Sequence, residues 1–266
     1  MSQSNALAAR LDTAIRLAAE AGDLAMRMRP PPGRPRAVLK GAQDWVTEAD
    51  GAVERFLSDQ LAAAFPEDGF QGEEEGSHRT GRLRWVVDPI DGTANYMRGS
   101  KRFCVSVGLL EDRTPLLGVI LAPAAGELFT ARLGMGATLN GTEIHAADTA
   151  DIARATVEIG WSSRRPNADF LAMCDRVVTA GAALRMGGSG ALGLADIAAG
   201  RIDAYAELHI NLWDVAAALV ILREAGAAIG PFLDGDGPTA GNPILAAAPG
   251  IADSISTVTG LPITPL

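Results

Sequence analysis

The spacing of apolar residues in the first part of the chain predicts two helices. Over residues 5–28, leucine, isoleucine and alanine recur among charged residues at helical intervals, which is typical of an amphipathic helix. The proline-rich segment 30–35 predicts a stiff loop that ends this helix. A second helical pattern covers residues 49–65 and begins just after Thr47. The polar, acid-rich segment 69–81 has no periodicity and predicts a loop.

From residue 83 onward the pattern changes to short apolar runs separated by turn residues, which is typical of strands. The first runs predict an antiparallel sheet, and they cover residues 84–87, 103–110, 117–121 and 127–131, followed by a turn and hairpin over 134–141. Beyond residue 150, strands and helices alternate, with strands predicted at 157–161, 183–186, 204–207 and 244–247 and helices at 167–180, 190–199, 215–225 and 249–258. The pattern therefore predicts a mixed α/β fold, with an antiparallel N-terminal sheet lobe and a smaller α/β C-terminal lobe.

Composition narrows the function classes. The 266 residues are 48% hydrophobic, enough for a substantial core, and no linker separates independent domains, so we expect one domain (1–266) with lobes of approximately 1–148 and 149–266. The net charge of −9 disfavours a nucleic-acid or anionic-membrane surface, although bound metals would still allow an anionic substrate. Neither cysteine lies in a metal-binding spacing, and Cys104 falls in an apolar run that predicts a buried free thiol. With no signal-peptide pattern and no apolar window of membrane length, we expect a cytoplasmic protein.

Residues 85–93 carry the clearest chemical signal. An apolar run ends at Asp88, Pro89 is expected to lead the backbone out of the sheet, and Asp91 follows shortly after. Two carboxylates this close repel each other unless a cation lies between them, which predicts a divalent metal site. Gly92 lets an anion approach the backbone, and a helix starting there would direct N–H groups at it. Metal-assisted chemistry on phosphate is one interpretation, and an ordinary turn built from Asp, Gly and Pro is the other.

Further carboxylates decide between these interpretations. Asp50 lies just inside the second predicted helix, Glu73, Glu74 and Glu75 stand together in the acidic loop, and Asp214 opens the helix predicted at 215–225. Taken singly, each site has a plain structural explanation as a favourable first-turn charge, a solvated loop or a helix N-cap. Their meaning as a set follows from their order along the chain.

Four motifs in this order resemble a known family. They are Lys40…Asp44-x-Val46-Thr47-x-x-Asp50, Gly72-Glu73-Glu74, Asp88-Pro89-Ile90-Asp91-Gly92-Thr93 and Trp213-Asp214-Val215-Ala216. In this order and spacing they resemble the inositol monophosphatase family, which are Mg²⁺-dependent, lithium-sensitive phosphomonoesterases. The resemblance spans roughly residues 5–260. It implies the layered αβαβα sugar-phosphatase fold, a homodimer and hydrolysis that releases orthophosphate.

The resemblance also implies a set of metal ligands. Glu73 and Asp88, with the main-chain carbonyl of Ile90, would hold one Mg²⁺. Asp88, Asp91 and Asp214 would hold a second. A third, more weakly held Mg²⁺ near Glu73 would be consistent with the family. The choice of Glu73 over the two glutamates that follow it rests on the resemblance, because spacing cannot separate adjacent residues.

The remaining catalytic roles follow from the same resemblance. Thr93 and Asp50 would form a hydrogen-bonded pair that orients and deprotonates a metal-activated water, with Glu73 assisting through its metal. The N–H groups of Gly92 and Thr93 would bind phosphate oxygens. Lys40 corresponds to a lysine near the mouth of the site, and a surface lysine is the alternative interpretation.

The resemblance implies a separate set of residues for the alcohol half of the substrate. Gly188, Ser189 and Gly190, together with Glu207, would contact sugar or cyclitol hydroxyls, and an ionised Glu207 could accept hydrogen bonds from them. Gly190 stands where alanine is usual in the family. Arg185 would support Glu207 or reach a second charged group on the substrate.

Several functions share this chemistry. A small phosphate monoester, inositol 1-phosphate or a related polyol phosphate, is the leading substrate. Histidinol phosphate, fructose 1,6-bisphosphate and 3′-phosphoadenosine 5′-phosphate are alternatives on the same fold. A nucleotide would call for cationic or aromatic groups, and the sequence shows no clear set near the pocket segments. A regulatory scaffold without turnover is the alternative from another class.

Overall fold

The computed structural model describes residues 3–31, 38–41 and 44–264. Within these residues the chain forms eight α-helices, which are α1 (Gln3–Met28), α2 (Glu48–Ala64), α3 (Thr93–Met97), α4 (Asn167–Thr179), α5 (Gly190–Ala198), α6 (Leu212–Glu224), α7 (Gly237–Ala240) and α8 (Ala252–Thr259). The strands of the same part of the chain are β1 (Val38–Gly41), β2 (Asp44–Val46), β3 (Gly69–Gly72), β4 (Ser77–Arg79), β5 (Leu83–Asp91), β6 (Cys104–Glu111), β7 (Thr114–Ala122), β8 (Glu127–Arg132), β9 (Ala137–Leu139), β10 (Thr142–Glu143), β11 (Thr156–Ile159), β12 (Ala183–Arg185), β13 (Ala204–Ile210), β14 (Ala228–Ile229) and β15 (Asn242–Ala247).

The strands form two main sheets. An eight-stranded sheet has the order β10-β9-β8-β7-β6-β5-β3-β4, and a five-stranded sheet has the order β12-β11-β13-β15-β14. The large sheet is antiparallel except where β3 runs parallel to β5, whereas the small sheet mixes parallel and antiparallel pairs. A short hairpin of β1 and β2 stands apart from both. These sheets confirm the predicted mixed α/β class.

Helices and sheets alternate in five layers. Helices α1 and α2 bury Leu17 and Leu57 against one face of the large sheet, where Trp85 is also buried. Helices α5 and α6 fill the space between the two sheets, and the side chains of α6 are apolar on most sides because both of its neighbours are sheets. Helices α4 and α8 cover the outer face of the small sheet through residues such as Met173 and Ile255. The predicted αβαβα layering is confirmed, and the division into two lobes stays a prediction.

The loop predicted over 69–81 is wrong. Residues there form β3 and β4, and β3 pairs in parallel with β5. The β3 sequence Gly-Phe-Gln-Gly has no alternation that would reveal a strand, and both of its glycines are poor strand formers. Pairing with a distant buried strand creates this element, and a local pattern cannot show it.

The predicted end of the strand at Asp88 is also wrong. Strand β5 continues to Asp91, and between these two residues the pairing advances three positions on β5 but only two on β6, from Ser106 to Cys104. This one-residue bulge accommodates Pro89, which has no N–H to donate. In a regular strand, residues three apart point to opposite faces. The bulge returns Asp91 to the face of Asp88, so both carboxylates point to the same side.

Two paired glycines bring α6 close to the large sheet. Gly108 and Gly118 lie opposite each other on β6 and β7. A Cβ atom at Gly118 would lie 2.2 Å from the carbonyl oxygen of Ala217, and one at Gly108 would lie 2.9 Å from the backbone of Ala216. Only glycine therefore permits this approach. The close packing carries the first turn of α6, with Asp214, to the edge of β5.

Candidate active site

Three aspartates from distant parts of the chain form the centre of the site. One carboxylate oxygen from each of Asp88, Asp91 and Asp214 lies within 4.8 Å of the others. The bulge in β5 supplies the first two, and the start of α6 supplies the third. Asp214 lies in the first turn of α6, where the Asn211 N–H donates to it at 3.0 Å. It is therefore not the helix N-cap, since Asn211 holds that position.

The electrostatics of this cluster favour a cation. Burial raises the pKa of Asp88 well above its usual range, and the charges of Glu73, Asp91 and Asp214 raise it further. Burial, and then the charge of Asp91, raises the pKa of Asp214 to about 7. A divalent cation would remove this mutual repulsion. The oxygen-only donor set fits Mg²⁺, which prefers hard carboxylate and carbonyl oxygens.

Asp91 is held in place by the start of α5. Its carboxylate accepts the N–H of Ala191 at 2.9 Å and the N–H of Gly190 at 3.3 Å, together with the hydroxyl of Ser189. The thiol of Cys104 lies beneath it, with its sulfur 3.7 Å from Oδ2. Cys104 is a buried free cysteine, as predicted. Ser189 and Gly190, predicted to contact substrate, thus also orient a predicted metal ligand.

Asp50 and Thr93 lie in hydrogen-bond contact. The Thr93 hydroxyl is 3.1 Å from Oδ1 of Asp50 and 3.0 Å from the carbonyl oxygen of Ile90. The other carboxylate oxygen of Asp50 accepts the N–H of Thr47 at 2.8 Å and its hydroxyl at 2.5 Å, which completes a capping box at the start of α2. Burial raises the pKa of Asp50, and the bonds from Thr47 oppose that shift. A fully buried carboxylate with a raised pKa beside a hydroxyl is suited to accept a proton.

Gly92 makes the turn between β5 and α3. Its φ of 88° is in the left-handed region that favours glycine. A Cβ atom there would lie 3.0 Å from the carbonyl oxygen of Arg102 and 3.1 Å from that of Gly188. The side-chain amide of Asn95 contacts both segments, because it donates to the carbonyl oxygen of Arg102 at 2.9 Å and to that of Gly188 at 3.2 Å. The backbone of Gly92 and Thr93 therefore lies open to the site at a rigid corner.

A cavity of about 590 Å³ opens beside the carboxylates. Its wall includes Glu73, Asp91, Thr93, Gly188 and Glu207. The space fits the usual range for small-molecule sites, roughly 300–1,000 Å³. Predicted residues of all three kinds thus border a single space, whereas Asp88, Ile90 and Arg185 are not part of its wall.

Glu207 lies at the side of this cavity, on β13. Its carboxylate accepts the hydroxyl of Tyr205 at 2.5 Å. Burial raises the pKa of Glu207 to about 8, the Tyr205 bond opposes that shift, and the charges of Asp214 and Asp91 add to it. Gly160 faces the pair, and a Cβ atom there would lie 2.0 Å from Oε2 of Glu207. The glycine therefore leaves room for this carboxylate.

Two predicted residues stand differently from the others. Arg185 lies 3.8 Å from the carboxylate of Glu158, which Arg102 also binds at 2.7 Å. Its charged contact is therefore with Glu158 and not with Glu207, the first of its two expected partners. The second expectation, that Arg185 reaches a charged group on the substrate, stays a prediction. Lys40 belongs to β1, and its side chain lies outside the described residues.

The cavity also has residues that the sequence analysis did not assign. Trp45, Trp161, Arg164 and His209 all border it. Trp161 is fixed by a 2.9 Å bond from its indole N–H to the side-chain oxygen of Asn167. For Arg164 the sequence contained a signal, because the polar segment after the strand predicted at 157–161 lies at a strand end, where functional loops cluster.

His209 has a main-chain partner. Its Nε2 lies 2.9 Å from the carbonyl oxygen of Ala240, while its Nδ1 is buried and has no hydrogen-bond partner among the described residues. The contact to Ala240 is a structural bond of the kind common for a histidine near a strand end.

Comparison with known proteins places this geometry in a family. The family model described as the inositol monophosphatase family matches residues 7–258. The chain belongs to the inositol monophosphatase family. Among its relatives are inositol monophosphatase 2 of Solanum lycopersicum, 38% identical over 71% of this chain and 76% of the relative, and the Nus factor SuhB of Xylella fastidiosa, 39% identical over 76% and 74%.

Solved structures of the inositol monophosphatase family share the fold. The IMPase of Thermotoga maritima is 32% identical and superposes with a TM-score of 0.83 over 94% of this chain and 96% of its own. The extragenic suppressor protein suhB of Bartonella henselae is 28% identical, and it superposes with a TM-score of 0.87 over 94% of this chain and 98% of its own. Among the described residues, none of the helices is long and apolar enough to cross a membrane.

Proposed function

We propose that this chain is a Mg²⁺-dependent phosphomonoesterase that hydrolyses a small polyol phosphate, with inositol 1-phosphate as the leading substrate. The observation that carries the proposal is the cluster of Asp88, Asp91 and Asp214, within 4.8 Å of one another, beside a cavity whose wall includes Asp91, Asp214 and Thr93. Asp50 is buried next to this wall, in hydrogen-bond contact with Thr93. A buried cluster of this kind has no structural benefit of its own, since like charges destabilise the fold. Membership of the inositol monophosphatase family supports the same reaction.

In this proposal the carboxylates hold two Mg²⁺ ions. Asp88, Asp91 and Asp214 would hold one ion, and Glu73, Asp88 and the carbonyl of Ile90 would hold the other. A third, more weakly held ion near Glu73 would be consistent with the family. Magnesium bound there would polarise the phosphate and ease deprotonation of an attacking water. The carboxylates fix the positions of these charges before substrate arrives, so no reorganisation is needed during the reaction.

Thr93 and Asp50 would activate the water. Because the Thr93 hydroxyl donates to Asp50, its oxygen lone pairs can accept a hydrogen bond from a water in the cavity. The proton of that water would pass through Thr93 to Asp50. The water oxygen would attack phosphorus in line, and the alkoxide of the leaving alcohol would depart from the opposite side. Asp50 is held by Thr47 throughout, so its geometry would not change as it gains the proton.

Phosphate and alcohol would be held by different residues of the cavity wall. The N–H groups of Gly92 and Thr93 would bind phosphate oxygens at the corner that precedes α3. Glu207 would accept hydrogen bonds from hydroxyls of the leaving alcohol, and Gly188, Ser189 and Gly190 would contact the same half of the substrate. This arrangement suits a polyol better than a simple alkyl alcohol.

The test is phosphate release with and without Mg²⁺ from inositol 1-phosphate, histidinol phosphate, fructose 1,6-bisphosphate and 3′-phosphoadenosine 5′-phosphate. We expect Mg²⁺-dependent turnover and a clear preference in kcat/KM. Asp50→Asn should lower kcat by about 10²–10⁴-fold, the usual contribution of a positioned general base. Asp59→Asn, an exposed aspartate on the same helix, is the matched control and should leave kcat unchanged. Equal rates for the two variants would rule out Asp50 as the base.

A substrate with a second anionic group is a further candidate. Arg164 borders the cavity, and its positive charge lowers the pKa of Glu207 and of Asp214, which burial raises. Trp45 and Trp161 border the same space, and indole faces can stack on a base. These residues are the cationic and aromatic groups that a bisphosphate or nucleotide substrate would need. The substrate panel distinguishes the two classes directly.

A regulatory role beside catalysis is a second candidate function, because several relatives are Nus factors named SuhB. A role of that kind would require a macromolecular partner that catalysis does not. Asp91→Asn, which should abolish turnover, separates the two. If a deletion phenotype is restored by this variant, the regulatory role leads. The homodimer and lithium sensitivity expected from the resemblance stay predictions.

A further inference from the structure

Glu54 is a fully buried carboxylate that the proposed mechanism does not use. It lies on α2, one turn after Asp50, and its exposed fraction is 0%. Its Oε2 accepts the N–H of Glu74 at 2.9 Å, and its Oε1 accepts the N–H of Glu75 at 2.7 Å. Each oxygen thus binds one main-chain amide of the same short turn. That turn begins with Glu73, the predicted metal ligand.

The turn is shaped to fit around this carboxylate. Glu73 follows the last residue of β3, and the N–H of Gly72 closes the turn by donating to the carbonyl of Gly76 at 3.1 Å. A Cβ atom at Gly72 would lie 2.3 Å from the carboxyl carbon of Glu54. Glycine is therefore required at this position, because any side chain would displace Glu54 from the amides it binds.

Glu54 keeps its carboxylate at a place that is costly for the charge. Burial raises the pKa of Glu54, the bonds from the Glu74 and Glu75 amides oppose that shift, and the charges of the same two glutamates add to it. An apolar side chain here would leave both amide N–H groups without an acceptor, and a glutamine could accept only one of them. What the carboxylate supplies is two charge-assisted bonds from one rigid group to two successive amides. Such a pair of bonds fixes the direction in which the preceding residue projects.

We propose that Glu54 is a positioning residue that clamps the turn after β3, so that Glu73 projects toward Asp88 and completes the divalent-cation site. The inference rests on the proposed function, since it requires that Glu73 binds the metal. It links α2 to the metal centre twice, through Asp50 at the start of the helix and through Glu54 one turn later. Asp50 accepts the hydroxyl of Thr93, whereas Glu54 accepts the N–H groups of Glu74 and Glu75.

The test is direct measurement of Mg²⁺ binding by calorimetry, together with the Mg²⁺ dependence of turnover. Glu54→Gln keeps the size of the side chain but turns one acceptor into a donor that faces an amide N–H. We expect its Mg²⁺ dissociation constant to rise by about 10–100-fold, as is usual when a residue that orients a metal ligand is changed. Saturating Mg²⁺ should restore most of kcat, because the groups that react are intact. A residue that only stabilises the fold would not produce this separation.

Two further variants make the result specific. Glu75→Gln removes one negative charge from the same turn, and the Glu75 side chain is exposed and 3.6 Å from Arg55. This control keeps the amide clamp, so its Mg²⁺ affinity should stay close to that of the unmodified protein. Glu54→Asp keeps the charge but draws the carboxylate back by about 1.5 Å. It should show a smaller loss in the same direction, and it serves as the test variant if Glu54→Gln does not fold.

The outcomes separate the clamp from the function on which it rests. If the unmodified protein binds no Mg²⁺, the proposed function fails and the clamp with it. If the unmodified protein binds Mg²⁺ and Glu54→Gln binds it equally well, only the clamp is wrong. An equal loss in Glu54→Gln and Glu75→Gln would mean that charge, and not positioning, sets the affinity. That result also overturns the proposal.

Discussion

Replacing Asp88 by Asn should stabilise the metal-free protein at alkaline pH while removing its response to Mg²⁺. Asp88 is 1% exposed, and its carboxylate lies within 4.8 Å of those of Asp91 and Asp214. Two unit charges 4.8 Å apart repel by about 3.5 kcal/mol at an effective dielectric constant of about 20. An asparagine removes this repulsion and can keep the 3.0 Å bond that Asp88 accepts from the Ile90 N–H.

The effect should depend on pH, with a sign that follows from the raised pKa values. A carboxyl whose pKa is higher in the folded than in the unfolded state stabilises the fold at low pH, and this contribution is lost as pH rises through the folded pKa. Burial and neighbouring charges raise the pKa of Asp88 well above its usual range and that of Asp214 to about 7. At low pH, where the carboxyl of Asp88 is protonated and resembles asparagine, the variant should change little. At alkaline pH, where the carboxylates of the cluster lose their protons, the variant should gain stability.

The assay is thermal unfolding of the chelator-treated protein at pH 5 and at pH 8.5. Because proton uptake relieves part of the repulsion, we expect a gain of about 1–3 kcal/mol at pH 8.5, or roughly 3–8 °C in Tm. Adding Mg²⁺ at about 100 times its dissociation constant should stabilise the unmodified protein by about 2.7 kcal/mol and Asp88→Asn far less. Asp203→Asn is the matched control, since Asp203 is also buried and accepts one main-chain N–H, from Thr156 at 2.6 Å. This control should lose stability at both pH values.

Two results would refute the reasoning. If Asp88→Asn lowers Tm at pH 8.5 as Asp203→Asn does, the carboxylates do not repel one another and no cation is needed between them. If Mg²⁺ raises the Tm of Asp88→Asn as much as that of the unmodified protein, the ion binds elsewhere. Either result would also remove the main support for the proposed phosphatase.

Two further predictions concern the alcohol subsite and the packing of α6. Above pH 8, where Glu207 with its pKa of about 8 is ionised, Glu207→Gln should raise KM for a polyol phosphate by about 10-fold, because it weakens a hydrogen bond to a charged group. Hydrolysis of p-nitrophenyl phosphate should stay unchanged, because that substrate lacks alcohol hydroxyls, and a parallel loss on both substrates would contradict the assignment. Gly118→Ala should lower stability by about 1–3 kcal/mol, because its Cβ would meet the carbonyl of Ala217, and it should weaken Mg²⁺ binding by moving Asp214. Unfolding and Mg²⁺ titration of this variant measure both effects, and unchanged Mg²⁺ affinity would show that α6 tolerates the shift.

Local patterns predict most of the elements that bury a continuous apolar face. Helix α1 was predicted at 5–28 and spans Gln3–Met28, and α2 was predicted at 49–65 and spans Glu48–Ala64. Strands β6, β7 and β8 also lie where apolar runs predicted them. Periodicity succeeds for these elements because a buried helix face or strand face repeats along the chain itself.

Patterns fail where pairing with distant residues creates the element. Strand β3 exists because it pairs with β5, and its own four residues carry no strand signal. The continuation of β5 to Asp91 depends on a bulge against β6. The sequence does not reveal this bulge, because Pro89 is equally typical of a strand end. Turn residues such as proline mark both a strand end and a strand bulge, so their presence does not distinguish the two.

The order and spacing of side chains along the chain are enough to identify the chemical groups of this protein and the family that its motifs resemble. Motif order identifies Asp50, Asp88, Asp91 and Asp214 as a set, because side-chain type and short spacing are properties of the chain. The tertiary structure decided what each group contacts. Arg185 lies near the carboxylate of Glu158, and the hydroxyl of Ser189 donates to Asp91. Arg164 borders the cavity, and Glu54 accepts two N–H groups from the turn that begins with Glu73. These contacts join residues that are remote in sequence, and their energies depend on burial and distance, which exist only once the layers have packed.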